Sequence, residues 1–121
     1  MTVSELRRLA AAPGVTIGSH GVGHASLAAL PPERRADELR TARDMLNAWL
    51  GSPPAGIAYP YGVPDVDVDA ATQAAARAAG YRYGVVNAQR RWRRHLDPMA
   101  LPRAAVGDTG ADSFDAWLRV T

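Results

Sequence analysis

Two of the three histidines in this chain stand four residues apart, in the stretch SHGVGH over residues 19–24. Neutral imidazole is a good ligand for a zinc-type ion. If residues 20–24 form one helical turn, His20 and His24 project from one face. Two ligands do not complete a site. A catalytic zinc site takes three protein ligands plus water, and the third is usually carboxylate or imidazole. Spacing alone therefore leaves two readings: half of a metal site, or a polar loop whose histidines cap backbone groups. A second stretch, AYPYG over residues 58–62, flanks Pro60 with Tyr59 and Tyr61 and ends on a glycine that permits a tight turn. Backbone N–H groups left unpaired there could stabilise an oxyanion. The alternative is two tyrosines packed at a strand end. A third stretch, RRWRRH, sets Arg90 to Arg94 around Trp92, followed by His95. Arginines with an interleaved aromatic suit phosphate backbones and stacked bases. The neighbouring segments do not extend these charges into a stripe, which argues against a nucleic-acid surface. A solvated loop with a surface histidine is the simpler reading.

These residues must be positioned by a small scaffold. A chain of 121 residues supports one domain with one core. Its 47% hydrophobic and 21% charged residues fit a globular chain. Net charge of +2 excludes a polycation that binds nucleic acid by bulk charge. All basic residues are arginine and alanine is abundant, which reads as GC-rich codon usage. The absence of cysteine excludes disulfides, thiolate metal sites and cysteine nucleophiles. No apolar run approaches the roughly 20 residues of a membrane span. Arginines stand where a signal peptide needs its apolar stretch, so the chain as written is expected in the cytoplasm. A signal-bearing segment upstream would instead send it to the cell envelope or outside.

The pattern predicts a helix over 5–12 capped by Ser4, a buried strand over 15–18, and a long helix from the prolines at 31–32 to Gly51. On that helix Leu39, Ala42, Leu46, Trp49 and Leu50 share a face, with arginines and acids opposite. Strands are predicted over 56–62, 81–86 and 101–107. Between the first two lies an alanine-rich helix capped by Asp69 and ended by Gly80, and a last helix covers DSFDAWLRV. Such alternation implies βα units around a parallel sheet. Ligands then bind beyond the carboxyl ends of the strands, where SHGVGH and YPYG both fall.

Taken in order, VTIGSHGVGHASLAAL, an amphipathic Arg- and Glu-rich helix, LGSPPAGIAYPYG, AAARAAGYRYGVV and LDPMALPRAAV resemble the polysaccharide deacetylase family, also called the nodulation-protein-B homology domain. The resemblance covers about residues 4–107. It implies an α/β fold: a partial distorted (β/α) barrel lacking the first strand, with residues 1–121 as one partial domain. It implies a metal-dependent hydrolase that removes acetyl groups from N-acetylated or O-acetylated carbohydrate, with a divalent metal of the zinc type as cofactor. The family's metal motif matches His20 and His24. Its Arg-x-Pro-Tyr motif falls on Ala58, Tyr59, Pro60 and Tyr61. Tyr61 takes the backbone oxyanion role, and Tyr59 and Pro60 the substrate contact.

The chain departs from the family in three places. No Asp-Asp pair, the family's general base and third metal ligand, precedes His20. Ala58 replaces the motif arginine, and LPR at 101–103 stands where a Leu-x-His with the general acid is expected. The resemblance therefore implies an N-terminally incomplete member, inactive or nearly so by itself. Asp65, Asp67, Asp108 and His95 are the residues left to search for a base. The alternatives are a non-catalytic family fragment that binds metal or glycan, and a nucleic-acid or partner-binding module using Arg90 to Arg94.

Overall fold

The computed structural model describes residues 1–89, 95–105, 110 and 113–116. The first helix, α1 (Val3–Ala10), starts earlier than predicted. Thr2, not Ser4, is its cap. Glu5 sits three residues on and returns the bond, its carboxylate accepting from the Thr2 N–H at 2.6 Å while Thr2 Oγ1 accepts from the Glu5 N–H at 3.2 Å. This reciprocal pairing satisfies two amide donors at once, whereas a cap at Ser4 would have Arg7 three residues on, which cannot accept in return.

Residues 15–18 do not form the predicted buried strand. Val15 is 37% exposed, and the segment touches the sheet through one parallel bridge, Ser19 to Ile57. The Ser19 N–H donates to Gly56 O at 3.0 Å, and Ser19 O accepts from the Ala58 N–H at 2.9 Å. In a parallel ladder alternate residues turn their polar groups to opposite sides. Gly18 and His20 therefore face away from the sheet, towards an edge with no partner among the described residues. A β-branched run has the composition of a strand, but it becomes one only when both neighbours are present.

After a short 3-10 turn at Leu27–Ala29, α2 (Pro32–Leu50) runs as predicted from its prolines to Gly51, which adopts φ 81° and donates to Asn47 O. Then come β1 (Gly56–Ala58), α3 (Ala70–Ala78), β2 (Tyr83–Asn87) and β3 (Leu101–Arg103). Asp69 caps α3 by accepting from the Thr72 N–H and hydroxyl at 2.7 and 2.6 Å. The sheet is parallel in the order β1-β2-β3, as βα alternation requires. β1 ends sooner than predicted, at Ala58, ahead of the left-handed residues Tyr61 and Gly62, and β3 covers Leu101–Arg103, with residues 106–107 of its predicted range outside the described residues. Residues 113–116 are helical; the rest of the predicted last helix lies outside the described residues.

The core lies on one face of this sheet. Ile57, Tyr59 and Val86 are at most 1% exposed and pack with Leu27, Leu39 and Met99. Two glycines make room for tyrosines, Gly84 on this face and Gly56 on the other. A Cβ on Gly84 would lie 2.5 Å from the Tyr59 hydroxyl, and one on Gly56 would lie 2.2 Å from the Tyr83 ring. Each tyrosine thus covers a glycine on the neighbouring strand. The opposite face, with Gly56, Ala58, Tyr83 and Val85, borders an open cavity of about 360 Å³ shared with Thr16, Gly18 and His20. The predicted apolar face of α2 is only partly used. Leu39 and Ala42 are buried, whereas Met45, Leu46 and Trp49 line an open groove of about 270 Å³ with Gly18, His20, Gly21 and Val22.

One arginine departs from the expected solvated face. Arg35 is 7% exposed and spans the loop before α2. Its guanidinium donates to Leu27 O at 2.8 Å, Ala28 O at 3.2 Å and Leu30 O at 3.1 Å. The planar fork of arginine suits several carbonyls at once. No described helix is long and apolar enough to cross a membrane.

Candidate functional site

His20 and Tyr61 each leave the carboxyl end of a parallel segment, and the turn at each place is left-handed. Residues 20–24 are not a helical turn. Gly21 has φ 77° and His24 φ 53°, so the loop doubles back and brings the rings together that way. The His20 and His24 ring centroids are 4.8 Å apart, edge to face. The Tyr61 ring lies 4.9 Å from His24 in the same arrangement. Tyr61 itself has φ 58°. Left-handed non-glycine residues are costly and concentrate where geometry is functional. Around Tyr61 the chain makes a three-residue turn, with the Gly62 N–H donating to Pro60 O at 2.6 Å. Gly62 is required: its φ is 72°, and a Cβ there would lie 3.1 Å from Tyr59 O and 3.2 Å from the Asn87 amide nitrogen. The Asn87 N–H, at the end of β2, donates to Gly62 O at 2.8 Å and fixes the turn. Among the described residues no acceptor takes the Tyr61 N–H, which leaves a backbone donor in the turn whose ring packs on His24.

Ala58 acts through its backbone. Its carbonyl lies 2.7 Å from His20 Nδ1. A carbonyl oxygen only accepts, so Nδ1 carries the proton and Nε2 keeps its lone pair for a ligand. Metal-binding histidines are commonly oriented this way. His20 and His24 could each offer one imidazole nitrogen to a zinc-type ion. Among the described residues no group of three His, Cys, Asp or Glu side chains could hold one.

The other candidates separate from this cluster. Tyr59 was expected to touch substrate, but it is fully buried and donates its hydroxyl to Met99 O at 3.0 Å. Burial also pushes its phenol far above the usual range. Pro60 is buried as well, so it too offers no surface to a ligand. Both residues hold the turn that presents Tyr61, which is 58% exposed. Asp67 is committed to structure: one oxygen accepts from Ser26 Oγ at 2.6 Å and the other from the Val63 N–H at 3.1 Å. Asp65 sits in a left-handed turn at φ 64°, and His95 is exposed. Asp108 and Arg90 to Arg94 lie outside the described residues.

One residue at the site was not singled out in the sequence. Glu38, in the second turn of α2, accepts from the Val22 N–H at 2.9 Å and, through the same Oε1, from the Gly23 N–H. Its approach to the loop backbone is close at both glycines and tightest at Gly23. Cβ atoms there would lie 3.4 and 3.2 Å from that oxygen. The glycines were the available signal: two small residues between histidines imply that something approaches the backbone closely.

A family model for polysaccharide deacetylase matches residues 1–84. The chain belongs to the polysaccharide deacetylase family. No curated protein sequence matches it. Solved structures agree on the fold of this deacetylase-family chain. The Streptococcus pyogenes deacetylase PplD, in complex with acetate, superposes with a TM-score of 0.85 at 20% identity, over 96% of this chain and 50% of that one. A polysaccharide deacetylase from Bacillus cereus gives 0.80 at 19% identity, over 96% and 36%. A de-N-acetylase from Aggregatibacter actinomycetemcomitans gives 0.78 at 15% identity, over 97% and 53%. The chain therefore spans from about a third to about half of the length of these proteins, and its architecture is a partial deacetylase fold.

Proposed function

We propose that this chain supplies two metal ligands and an oxyanion donor for hydrolytic removal of acetyl groups from N-acetylated or O-acetylated carbohydrate. The gathering of His20, His24 and the Tyr61 turn into one exposed cluster carries this reading. His20 and His24 would hold a divalent ion of the zinc type. When bound, such an ion supplies Lewis-acid polarisation and activation of water. Tyr61 would direct its backbone N–H at the oxygen that gains charge as the acetyl carbon becomes tetrahedral, where a fixed donor acts most strongly. His20 is held in the required tautomer by Ala58 O. The proton of the attacking water needs a free carboxylate base, and Glu38, the carboxylate at this loop, is taken up by the Val22 and Gly23 amides. A positioned base contributes roughly 10²–10⁴-fold, so the 121-residue chain is inactive or nearly so until a segment with an Asp-Asp pair is supplied.

Two measurements test this reading. Calorimetric titration of zinc should show weak binding by the wild-type chain and none by His20→Ala/His24→Ala; equal binding by both would remove the histidines from the role. Acetate release from N-acetylated chitooligosaccharides or peptidoglycan fragments should appear only when an Asp-Asp strand is fused ahead of Met1. Robust metal-dependent turnover by the short chain would overturn the account of the base. A second reading, a non-catalytic member that binds metal or glycan, is favoured by the lack of a free base at the cluster among the described residues. It predicts zinc binding without rescue of turnover.

A further inference from the structure

The histidine loop is gripped from α2 by two opposite charges one helical turn apart. Arg35 takes carbonyls of residues 27, 28 and 30, and Glu38 takes the amides of residues 22 and 23. Arg35 is buried and secures the distal part of the loop. Glu38 is only half-buried and acts on the two amides between His20 and His24. These donors have no place in a helix or ladder. Converging on one anionic oxygen, they form a backbone nest, and bonds to an ionised acceptor are about twice as strong as neutral ones. Leu39, the next residue, is fully buried, so the carboxylate projects from an anchored point. What it holds is the segment that enters His24, whose left-handed φ of 53° an isolated loop would not keep.

We propose that Glu38 is a positioning residue for metal binding: its carboxylate fixes the backbone at Val22 and Gly23 so that the His24 imidazole stays 4.8 Å from His20. The proposal rests on the reading of the two histidines as ligands. Glu38 touches no reacting atom in this scheme and works through the loop. Its removal lets His24 relax to ordinary backbone angles and swing from its partner ring. The loss then falls on metal affinity rather than on the fold, whose core lies on the other side of Leu39.

The test uses the whole 121-residue chain. Zinc alone is titrated calorimetrically into wild type, Glu38→Ala, Glu38→Gln and, as a control on the exposed side of the same helix, Asp44→Asn. Cobalt(II) absorption spectra of the same proteins report ligand geometry, and urea midpoints report stability separately. Residues that orient metal ligands typically change affinity 10–100-fold. Glu38→Ala should lose about that much, Glu38→Gln less because its carbonyl still accepts from the amides, and Asp44→Asn nothing. The cobalt spectrum should change with Glu38→Ala and be partly restored in Glu38→Gln. Should the alanine variant fail to fold, the glutamine variant carries the comparison. Wild-type affinity and spectrum in both Glu38 variants, with binding lost in His20→Ala/His24→Ala, would overturn the positioning role and leave the metal reading intact. Wild-type binding in the double histidine variant would overturn the metal reading and this proposal with it.

Discussion

At the scale of single residues, Tyr59 shows how a motif position can serve a site without facing it. Its ring fills the core and its hydroxyl satisfies Met99 O. Tyr59→Phe should cost about 1–2 kcal/mol, because it leaves that buried carbonyl without its donor. Urea unfolding near neutral pH measures this. The same burial sets an alkaline limit. The folded-state pKa of Tyr59, and in the same direction that of Tyr81, is raised by desolvation above the usual value of about 10. Stability from these phenols is therefore complete below about pH 10 and declines above it, as the unfolded chain ionises first. Wild type should lose stability between pH 9 and 11 more steeply than Tyr59→Phe. Asp69 and Asp97 set the acid limit. Bonds from Thr72 hold Asp69, and the Met99 amide and Arg77 hold Asp97, below the usual carboxylate range. Their contribution is present above about pH 4 and lost as pH falls below it. Asp69→Ala removes the α3 cap, should cost about 1 kcal/mol near neutral pH, and should flatten the acid limb of a melting-temperature profile. The cap at Asp69 was legible in the sequence, since aspartate before an alanine-rich run has few other uses. Glu38 and Arg35 were not, because a charged residue on a helix looks the same whether it meets solvent or a backbone.

At the scale of elements, strands and tyrosines are fitted to each other through missing side chains. Tyr59 lies over Gly84 and Tyr83 over Gly56, in both cases closer than any Cβ permits. Gly84→Ala should destabilise by about 1–3 kcal/mol through overpacking. Gly84→Ala/Tyr59→Leu should recover part of that loss, since the clash then has only one partner. Urea denaturation of the single and double variants checks this. The order of helices and strands was legible from turn residues and periodicity, as were the long α2 and its glycine stop. Residues 15–18 were legible only as a composition: a β-branched run names a strand, but partners make one, and here one side is open. The meeting of His20, His24 and Tyr61 followed from their places after successive strands. Its mechanism did not, because the left-handed angles of His24 and Tyr61 leave no mark on residue type.

At the scale of the whole molecule, the described residues seal one face of the sheet and leave the other open, and they pair the Ser19 segment on one side only. The sealed face accounts for Ile57, Tyr59 and Val86 all being at most 1% exposed. The open face and the groove beside Met45, Leu46 and Trp49 leave apolar surface around the histidines. In the cited deacetylases the match to this chain takes up 36% to 53% of the protein, so the architecture is shared in part.

The one-sided pairing of Ser19 should be visible in deuterium uptake. Its amide is bound to Gly56 O, whereas those of Gly18 and His20 turn the other way. Protection along residues 18–20 should therefore alternate, slow at 19 and fast on either side, with the amides of Val85 and Val86 inside the sheet slower still. Uniform protection across 18–20, read residue by residue, would mean that the edge is closed in solution. A chain with this alternating clock would have loosely tied backbone beside its two histidines. His20 then opens to water on a faster timescale than the strands that aim it.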